Sequence, residues 1–419
     1  MVTQRNILII VQNLPVPMDR RVWMEATSLR RHGFGVAVIC PKREEFNASY
    51  ERLEDIDIYR YPLIYEAGKG VAGYFVEFVY CWLASLWLAL KAYAHRPFHA
   101  IQACNPPDTF FALALLFRPL GVKFVFDHHD LCPELYTAKG HPRTGMLYRG
   151  LLMLEGMTLR LAHRVIATNE SYKEMELGRG GVAEARVTIV RSGPRCGWPD
   201  GHSPCPELKR GRHHMVMYLG VMGDQDGVDH LLRAIQSYRT IAADDTLFVL
   251  VGGGPNLPQM KALAEQLGLG SAVYFTGRIP DEQLRDYLAT ADVCVDPDPI
   301  TEFNNLCTMN KIIEYMAFGR PIVAFDLTEH RRSAESAAVY VSENDDANLG
   351  RAIRELLLDG KRRETMSQFG RQRFREVLAW ENSEQRLIAA YRQLFNRERS
   401  RSMANAAAQE SVAAEDSGA

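Results

Sequence analysis

The first 40 residues alternate between two hydrophobic patterns. Residues 6–12 form a continuous apolar run of strand length, which is typical of a parallel strand covered on both faces. Residues 21–32 place apolar side chains at helical spacing, and Gly33 provides a favourable helix C-terminus. Residues 36–40 predict a second strand, so the chain begins with a β-α-β unit.

The alternation continues along the chain in two series. In the first we predict helices at 74–94, 108–118 and 146–161, and strands at 100–103, 123–127, 164–167 and 187–191. In the second, the predicted strands are 215–220, 246–252, 273–276, 293–296, 321–325 and 339–341. The helices of that series are predicted at 227–240, 257–267, 281–289, 308–318, 346–358 and 361–377. Strands that alternate with helices indicate a parallel, doubly wound sheet.

Residues 192–214 interrupt this pattern with four prolines and four glycines and show no helical period. We therefore predict an α/β protein with two doubly wound domains, residues 1–195 and 215–379, joined by a linker at 196–214. Two such halves face a central cleft, and ligands bind at the carboxyl ends of the strands. Residues 380–396 predict a last amphipathic helix, and residues 397–419 a disordered tail.

Composition narrows the possible classes of protein. Of the 419 residues 47% are hydrophobic and 24% charged, which excludes a collagen, a coiled-coil rod or a wholly disordered chain. The net charge of −2 disfavours a nucleic-acid binder driven by bulk charge. Residues 1–210 nevertheless carry +5 and residues 211–419 carry −7, so only the first half favours an anionic partner or membrane surface.

The cysteines and the N-terminus suggest a compartment. Eight cysteines without a C-x-x-C pair are typical of reduced thiols in a cytosolic protein, not of a disulfide framework or a zinc site. Only a short apolar run lies near the N-terminus, so we expect no signal peptide. The longest uncharged apolar stretch, Phe78 to Leu90, is shorter than the ~20 residues of a spanning helix.

The helix predicted at 74–94 has two interpretations. Its large apolar side chains suit a buried helix that covers the first sheet. The same side chains, Trp82 and Trp87 among them, suit a helix partly exposed at a membrane interface.

A first candidate site lies at the start of the helix predicted at 308–318. Thr308 is a good N-cap, and the free N–H groups of the first turn, with Lys311, suit a phosphate. Glu314, six residues after Thr308, can accept two hydrogen bonds from ribose hydroxyls. An ordinary capped helix with a solvated lysine and glutamate is the alternative.

Two glycine clusters end predicted strands, at 220–227 and 252–254. Neither matches G-x-G-x-x-G, and no P-loop motif occurs, which disfavours a dehydrogenase or a P-loop enzyme. Glycine at a strand end still allows close approach of the backbone to a ligand, although a simple turn explains it equally well.

Residues 127–130, Asp-His-His-Asp, directly follow a predicted strand and should project into the cleft. A histidine there can donate a hydrogen bond to a reacting hydroxyl or phosphate, and an adjacent aspartate can orient it. We expect a structural role for at least one of the two histidines. A metal site is disfavoured because no third ligand is visible at ligand spacing, and Asp296-Pro-Asp298 is only a weak match to a Mn²⁺-binding D-x-D pattern.

These motifs together resemble the retaining glycosyltransferases of family 4, which have the GT-B fold of two Rossmann-like domains. The resemblance runs from Asn6 to about Phe395 and is closest to the branch that builds bacterial surface polysaccharides. Its most specific segments are TMNKIIEYMA at 308–317 with GRPIV at 319–323, YFTGR at 274–278, ADV at 291–293, and FDHHDL at 126–131 with PEL at 133–135.

The resemblance implies a metal-independent transferase without a cofactor, whose co-substrate is a nucleotide-diphosphate sugar. The second domain would bind this donor and the first domain the acceptor, with the last helix crossing back to the first domain. The implied catalytic residues are His129, Asp130 and Lys311. The implied donor-binding residues are Glu314 at the ribose, Gly277 and Arg278 at the base, and Thr308, Asn310, Asn305, Gly253, Gly254 and Arg191. Asp19, Arg20 and Arg21 occupy the place of the acceptor or diphosphate loop, without the usual glycine pair.

The chain departs from the family pattern at the leaving-group site. Leu306 replaces the first glutamate of the E-x7-E pair, since Glu302 lies four residues too early. The basic pair that neutralises the diphosphate falls on Val221 and Asp226. We expect other cations to supply this charge, with Lys311, Arg191 and Arg20 as candidates.

The sequence thus favours a retaining hexosyltransferase of polysaccharide biosynthesis that acts on a glycan or lipid-linked acceptor. It would be cytoplasmic, with peripheral contact at the inner face of the cell membrane and no nucleic-acid partner. Two alternatives remain: a catalytically silent nucleotide-sugar-binding scaffold, and a GT-B nucleotide-sugar epimerase.

Overall fold

The computed structural model describes residues 4–63, 70–242 and 245–396; the tail expected at 397–419 lies outside them. Within these residues the chain forms two compact units. The first contains the residues up to Val190 together with those from Glu384 onward, and the second contains Arg191–Ser383.

The first unit is built on an eight-stranded sheet with the order β3-β4-β2-β1-β5-β6-β7-β8. All neighbouring strands are parallel except β3 and β4, which form an antiparallel edge hairpin. Its strands are β1 Asn6–Ile10, β2 Gly35–Pro41, β3 Tyr50–Leu53, β4 Ile56–Tyr61, β5 Ala100–Cys104, β6 Lys123–His128, β7 Arg164–Ala167 and β8 Val187–Ile189. Burial of β1 on both faces explains its continuous apolar run.

The helices of the first unit largely follow the predicted pattern. They are α1 Arg20–Arg31, α2 Gly70–His95, α3 Phe110–Phe117, α4 Cys132–Ala138, α5 Met146–Leu161 and α6 Glu170–Gly178. The final helix, residues 380–396, packs on this unit through Tyr391, whose ring lies 6.0 Å from that of Phe34. The edge hairpin and the short helices α4 and α6 were not predicted.

Only one face of α2 is covered. Cys81, Ala89 and Ala92 pack into the core under the helix, whereas Leu83 and Trp87 remain 54% and 69% exposed. The interpretation of this helix as a buried one is therefore wrong. By length and composition alone, residues Phe75–His95 are sufficient to cross a membrane.

The second unit contains a six-stranded parallel sheet with the order β11-β10-β9-β12-β13-β14. Its strands are β9 His214–Leu219, β10 Thr246–Val251, β11 Val273–Gly277, β12 Val293–Asp296, β13 Ile322–Phe325 and β14 Ala338–Val341. Its helices are α7 Val228–Ile241, α8 Leu257–Gln266, α9 Asp281–Thr290, α10 Asn310–Ala317, α11 Thr328–Ala334, α12 Asp346–Leu358 and α13 Gly360–Arg373. A π-helical turn, Phe374–Leu378, follows α13.

Alternate residues of β9 supply two separate cores. Met215 and Met217 pack with α9 and α10 on one face of the sheet, and Val216 and Tyr218 pack with α7 and α12 on the other. Helices therefore cover both faces of this sheet, as the predicted doubly wound architecture requires.

The start of α10 differs from the prediction. The helix begins at Asn310, and the residue at its cap position is Met309, which has no capping side chain. Thr308 is therefore not the N-cap that the sequence suggested. Its hydroxyl is instead bound to charged side chains of the same unit.

Candidate active site

The strand β6 ends in the Asp-His-His-Asp segment that the sequence singled out. Asp127 and His128 are buried between β5 and β7, whereas the side chain of His129, one residue beyond the strand, keeps 15% of its surface exposed. The imidazole Nε2 of His129 lies 2.7 Å from Oδ2 of Asp127. Within the described residues, His129 makes its ring contacts through Nε2, which leaves Nδ1 for a ligand.

Arg21 is the buried cation of this cluster. Its guanidinium donates to Oδ1 of Asp127 at 2.8 Å and to the carbonyl of Val190 at 2.7 Å, and its Nε lies 2.9 Å from Nε2 of His129. Burial raises the pKa of Asp127, but Arg21 and His129 outweigh it and hold that pKa well below its usual range. The histidine ring is thus fixed between two opposite, permanent charges.

This position of Arg21 corrects one prediction. The resemblance implied that Asp19, Arg20 and Arg21 occupy an acceptor or diphosphate loop. Arg21 is instead buried in the histidine cluster, and Asp19 caps α1 by accepting the backbone N–H of Val22 at 3.1 Å. Arg20, in contrast, is exposed. Its role at an acceptor or a diphosphate stays a prediction.

A second layer of hydrogen bonds holds Asp127. The amide nitrogen of Gln102 donates to Oδ2 of Asp127 at 3.0 Å and to Glu25 at 2.5 Å. The hydroxyl of Tyr391, on the final helix, donates to the Gln102 carbonyl oxygen at 2.5 Å. Burial, and then the charge of Asp127, raises the pKa of Glu25 well above its usual range, although Arg21 lies 3.1 Å from this carboxyl group.

The two remaining members of the segment have other partners. His128 lies with Nδ1 at 3.1 Å from Glu176, which gives it the structural role expected for one of the two histidines. The backbone N–H groups of His129 and Asp130 both donate to the side-chain oxygen of Asn105, at 2.6 and 3.1 Å. Burial raises the pKa of Asp130. Asn105 thus sets the path of the loop that carries His129.

Three ligand-type atoms of this cluster lie close enough to hold a metal ion. They belong to Cys104, Asp127 and His129 and lie within 4.8 Å of one another. Arg21 already contacts two of the three, and burial raises the pKa of the Cys104 thiol well above its usual range. The guanidinium therefore supplies the positive charge that a metal would bring, and the expectation of a metal-independent site stays a prediction.

In the second unit, Lys311 is buried beside two aspartates at the end of β12, Asp296 in the strand and Asp298 just after it. Its ammonium group lies 2.7 Å from Asp298 and 3.3 Å from Asp296, and 5.0 Å from the ring centre of Tyr218. Burial lowers the pKa of Lys311, but the two carboxylates outweigh burial and raise it well above its usual range. The ammonium charge is balanced by carboxylates inside the protein. This balance limits the charge that Lys311 can offer to a diphosphate.

The two aspartates have very different affinities for protons. Burial and then the charge of Asp296 raise the pKa of Asp298 to about 8. Lys311 and His330 hold the pKa of Asp296 well below its usual range despite its burial. Of the two carboxyl groups beside Lys311, Asp298 therefore holds its proton to a much higher pH than Asp296 does.

Arg191 lies against Thr308 and Glu329 at the start of α10. Its guanidinium donates to the Thr308 hydroxyl at 3.2 Å and lies 3.6 Å from Glu329, which accepts from the same hydroxyl at 3.3 Å. The structure thus brings together Arg191 and Thr308, both predicted donor-binding residues. Glu329, on the unpredicted helix α11, completes this group of three side chains. The sequence gave no signal for its presence there.

The glycine-rich end of β10 packs against the other glycine cluster. A Cβ atom at Gly252 would lie 1.9 Å from the carbonyl oxygen of Gly220, and one at Gly254 would lie 2.5 Å from that of Met222. Both glycines therefore serve backbone packing. Gly253 has open space at its Cβ position and remains a candidate for contact with a ligand.

The other predicted donor-binding residues are more dispersed. Gly277 ends β11 with a positive φ of 70°, and Arg278 beside it is exposed. Asn310 is exposed at the first residue of α10, and Glu314 is half-buried one turn later. The side-chain oxygen of Asn305 accepts from the backbone of Thr328 at 3.0 Å and so holds the start of α11.

At the positions of the missing basic pair the two side chains differ. Val221 is 58% exposed, and Asp226 accepts the backbone N–H of Gly223 at 2.9 Å. Leu306 lies in a 3₁₀ turn, Asn304–Leu306, before α10.

Two family models match the chain. The first, described as a glycosyl transferase 4-like domain, matches residues 18–193, and the second, described as glycosyl transferases group 1, matches residues 213–359. One matched region lies largely in the first unit and the other wholly in the second.

Curated proteins support the same relationship over part of the chain. The lipopolysaccharide core biosynthesis glycosyltransferase LpsD of Rhizobium meliloti is 30% identical over 215 residues, which are 51% of this chain and 56% of that protein. The MMP alpha-(1->4)-mannosyltransferase of Mycolicibacterium hassiacum is 28% identical over 195 residues, 46% of either chain. The matched part thus spans about half the length of these relatives.

Solved structures are similar over nearly the whole chain. Sucrose-phosphate synthase from Thermosynechococcus elongatus has a TM-score of 0.74 at 20% identity and covers 94% of this chain and 100% of its own. HepE of Anabaena, in complex with UDP, has a TM-score of 0.71 at 13% identity and covers 93% and 100%. At such identities the likeness concerns the fold. The family matches and this fold together show that the chain belongs to the family 4 glycosyltransferases and has their GT-B fold.

Proposed function

We propose that this protein transfers a hexose from a nucleotide-diphosphate sugar to a hydroxyl of a glycan or lipid-linked glycan, with retention at the anomeric carbon. The observation that carries the proposal is the partly exposed His129 ring, fixed by buried Arg21 and Asp127 where β6 ends. Family membership supports the reaction type. The Anabaena HepE structures, titled as complexes with UDP and with UDP-glucose, support the class of donor.

In this reaction the acceptor oxygen forms a bond to the anomeric carbon on the face from which the diphosphate departs. The electron pair of the broken bond goes to the diphosphate oxygen, which also takes the acceptor proton. His129 would not act as a nucleophile. Its fixed ring would orient a sugar hydroxyl through Nδ1, and Asp127 would keep the ring in place.

The donor is proposed to bind the second unit. Glu314 would accept the ribose hydroxyls, Gly277 and Arg278 would hold the base, and the first turn of α10 would face the diphosphate. Lys311 would act indirectly, because its charge is already balanced by Asp296. Its role would be to fix the loop after β12 against α10.

The acceptor and the location form the last part of the proposal. LpsD is named for lipopolysaccharide core biosynthesis, which supports a surface glycan as the acceptor class. Transfer would take place on the cytoplasmic side, with peripheral contact to the inner face of the membrane, and would require no metal ion or cofactor.

Thermal unfolding with a panel of UDP-, GDP- and ADP-sugars tests the donor site. A ligand at 100 times its dissociation constant adds about 2.7 kcal/mol to the free energy of unfolding. We expect one base class to stabilise the wild type and Glu302→Ala, a matched control with an exposed glutamate before α10, but not Glu314→Ala. Equal stabilisation of Glu314→Ala would contradict the ribose contact.

Turnover of the identified donor tests the chemistry. With an acceptor glycan, we expect a product whose anomeric configuration matches that of the donor, undiminished by EDTA. Loss of turnover in His129→Ala with donor-induced stabilisation intact would support the role of the ring.

A silent nucleotide-sugar-binding scaffold is the second candidate. It is favoured by Val221 and Asp226 at the positions of the basic pair, and by the internally balanced Lys311. Stabilisation by a donor with no transfer to any acceptor would select it.

A further inference from the structure

The helix α2 exposes large apolar side chains on the face that is turned away from its sheet. Phe75, Leu83 and Trp87 recur on one face and are 69%, 54% and 69% exposed. The opposite face, which packs on β2 and β4, carries small side chains such as Cys81 and Ala89. A surface helix ordinarily places its large apolar residues on the core side. The exposed apolar residues of α2 are therefore not explained by the packing of the fold.

Neighbouring helices extend this surface. The helices α2, α3 and α5 contribute to one core on the same face of the sheet, α2 contacts α3, and α3 contacts α5. Leu116, at the end of α3, and Leu120 just after it are 57% and 59% exposed, and Met153 on α5 is 60% exposed. We use the term outer helix face for six exposed apolar side chains of these helices and of the turn after α3. They are Phe75, Leu83, Trp87, Leu116, Leu120 and Met153.

The charges around the outer helix face have one sign. Lys91 on α2, Arg118 after α3, and Arg149 and Arg160 on α5 are exposed. Among the described residues from 75 to 161, no aspartate or glutamate side chain is exposed, since each of them is buried or half-buried. Among the described residues the exposed charges beside this apolar surface are cationic, while Glu77 on α2 is half-buried. Such a surface complements an anionic, amphiphilic partner.

We propose that the outer helix face docks on the surface of an anionic phospholipid bilayer, with α2 lying in the interfacial plane. Trp87 and the leucines would enter the boundary between headgroups and acyl chains, and the basic side chains would contact lipid phosphates. The helix would lie on the bilayer and not cross it, because Cys81, Ala89 and Ala92 are committed to the core of the first unit. This docking specifies the peripheral membrane contact of the proposed function and rests on that part of it. Sugar transfer is measured separately with donor and acceptor, so failure of lipid binding and failure of transfer are distinguishable.

Vesicle flotation of the purified full chain, without donor or acceptor, tests the proposal. We expect binding to vesicles of phosphatidylethanolamine and phosphatidylglycerol and little binding to phosphatidylcholine alone. The double variant Leu83→Glu, Trp87→Glu should lower the partition coefficient by at least about tenfold, since it removes apolar area and adds repulsion. The double variant Arg149→Glu, Arg160→Glu should lower it by at least about fivefold. Leu358→Glu, a change at a 73% exposed leucine on α12 of the second unit, is the matched control and should bind like the wild type.

Thermal unfolding of each variant keeps a folding defect from being mistaken for lost lipid binding. All five changed residues are exposed, so we expect unchanged unfolding midpoints. Equal binding to both kinds of vesicle would overturn the anionic preference. Resistance to alkaline carbonate extraction would indicate a spanning helix and overturn the interfacial position. Absence of binding, together with dimers that Leu83→Glu, Trp87→Glu dissociates, would assign the outer helix face to a second copy of the chain instead.

Discussion

Each unit buries one cation against carboxylates where a parallel strand ends, yet the two clusters differ in what they leave exposed. In the first unit Arg21 contacts Asp127 at 2.8 Å, and the neighbouring His129 ring remains partly exposed. In the second, Lys311 contacts Asp298 at 2.7 Å, and all three side chains of the Lys311–Asp296–Asp298 cluster are buried. The first cluster leaves an imidazole ring partly exposed, whereas the side chains of the second are all buried.

The chemistry of the two cations explains the difference. A guanidinium is a planar fork that binds several acceptors at fixed angles, so Arg21 orients a carboxylate, an imidazole and a backbone carbonyl together. An ammonium is a compact point charge, so Lys311 neutralises carboxylates without orienting a further group. Arginine thus suits a cluster that must position a ring, and lysine suits one that must hold a loop.

Removal of Arg21 should have the largest effect. Arg21→Ala leaves Asp127 charged, buried and without its cation, and breaking such a pair costs about 3–5 kcal/mol. Urea unfolding of the first unit, followed by circular dichroism, measures the loss. Arg31→Ala on the same helix is the control, because its pair with Glu384 is half exposed on the arginine side and should be worth at most about 1 kcal/mol. Equal losses for both variants would contradict the buried role of Arg21.

The pH dependence of stability should distinguish the second cluster. The raised pKa of Asp298, about 8, means that the folded state holds more protons than the unfolded state between the ordinary aspartate pKa and pH 8. Stability contributed by Asp298 therefore falls as pH rises through this window, by at most about 1.4 kcal/mol per pH unit. The difference in unfolding free energy between wild type and Asp298→Asn should decrease from pH 5 to pH 8. A flat difference would mean that Asp298 is ionised throughout.

The smallest effect is expected at the outer end of the hydrogen-bond chain in the first unit. Tyr391→Phe removes the hydroxyl that donates to Gln102 and keeps the buried ring, so it should cost about 1 kcal/mol. Tyr50→Phe, which removes a hydroxyl that donates to Asp57 from a 46% exposed residue, should cost less. Urea unfolding compares the two. A larger loss for Tyr50→Phe would show that the final helix is not held through Gln102.

Most strands of the two sheets could be predicted from the sequence. Strands such as β1 and β10 are buried on both faces and therefore appear as apolar runs. The prediction for β12, residues 293–296, agrees with the structure at both ends. The hairpin of β3 and β4 was missed because β3 has only four residues, none of them buried, and lies at the sheet edge. The helices α4 and α11, of seven residues each, are too short to show a clear helical period.

The candidate site was predicted only in part. The segment 127–130 and the residues around Thr308 were found because their polar side chains directly follow strands or precede a helix. Gln102 and Asn105 were missed, since they reach Asp127 and His129 only through the pairing of β5 with β6. A polar side chain in the otherwise apolar strand β5 is the one signal that could have indicated Gln102.

The sequence by itself determined the alternation of strands and helices, because hydrophobic periodicity records which faces of each element are buried. It also determined the residue types at the strand ends. Only the tertiary structure decided which charges are balanced by buried ion pairs, as with Arg21 and Lys311. It also decided which apolar side chains stay exposed, as on α2. Both depend on contacts between residues far apart in the chain, and these exist only after the sheets have formed.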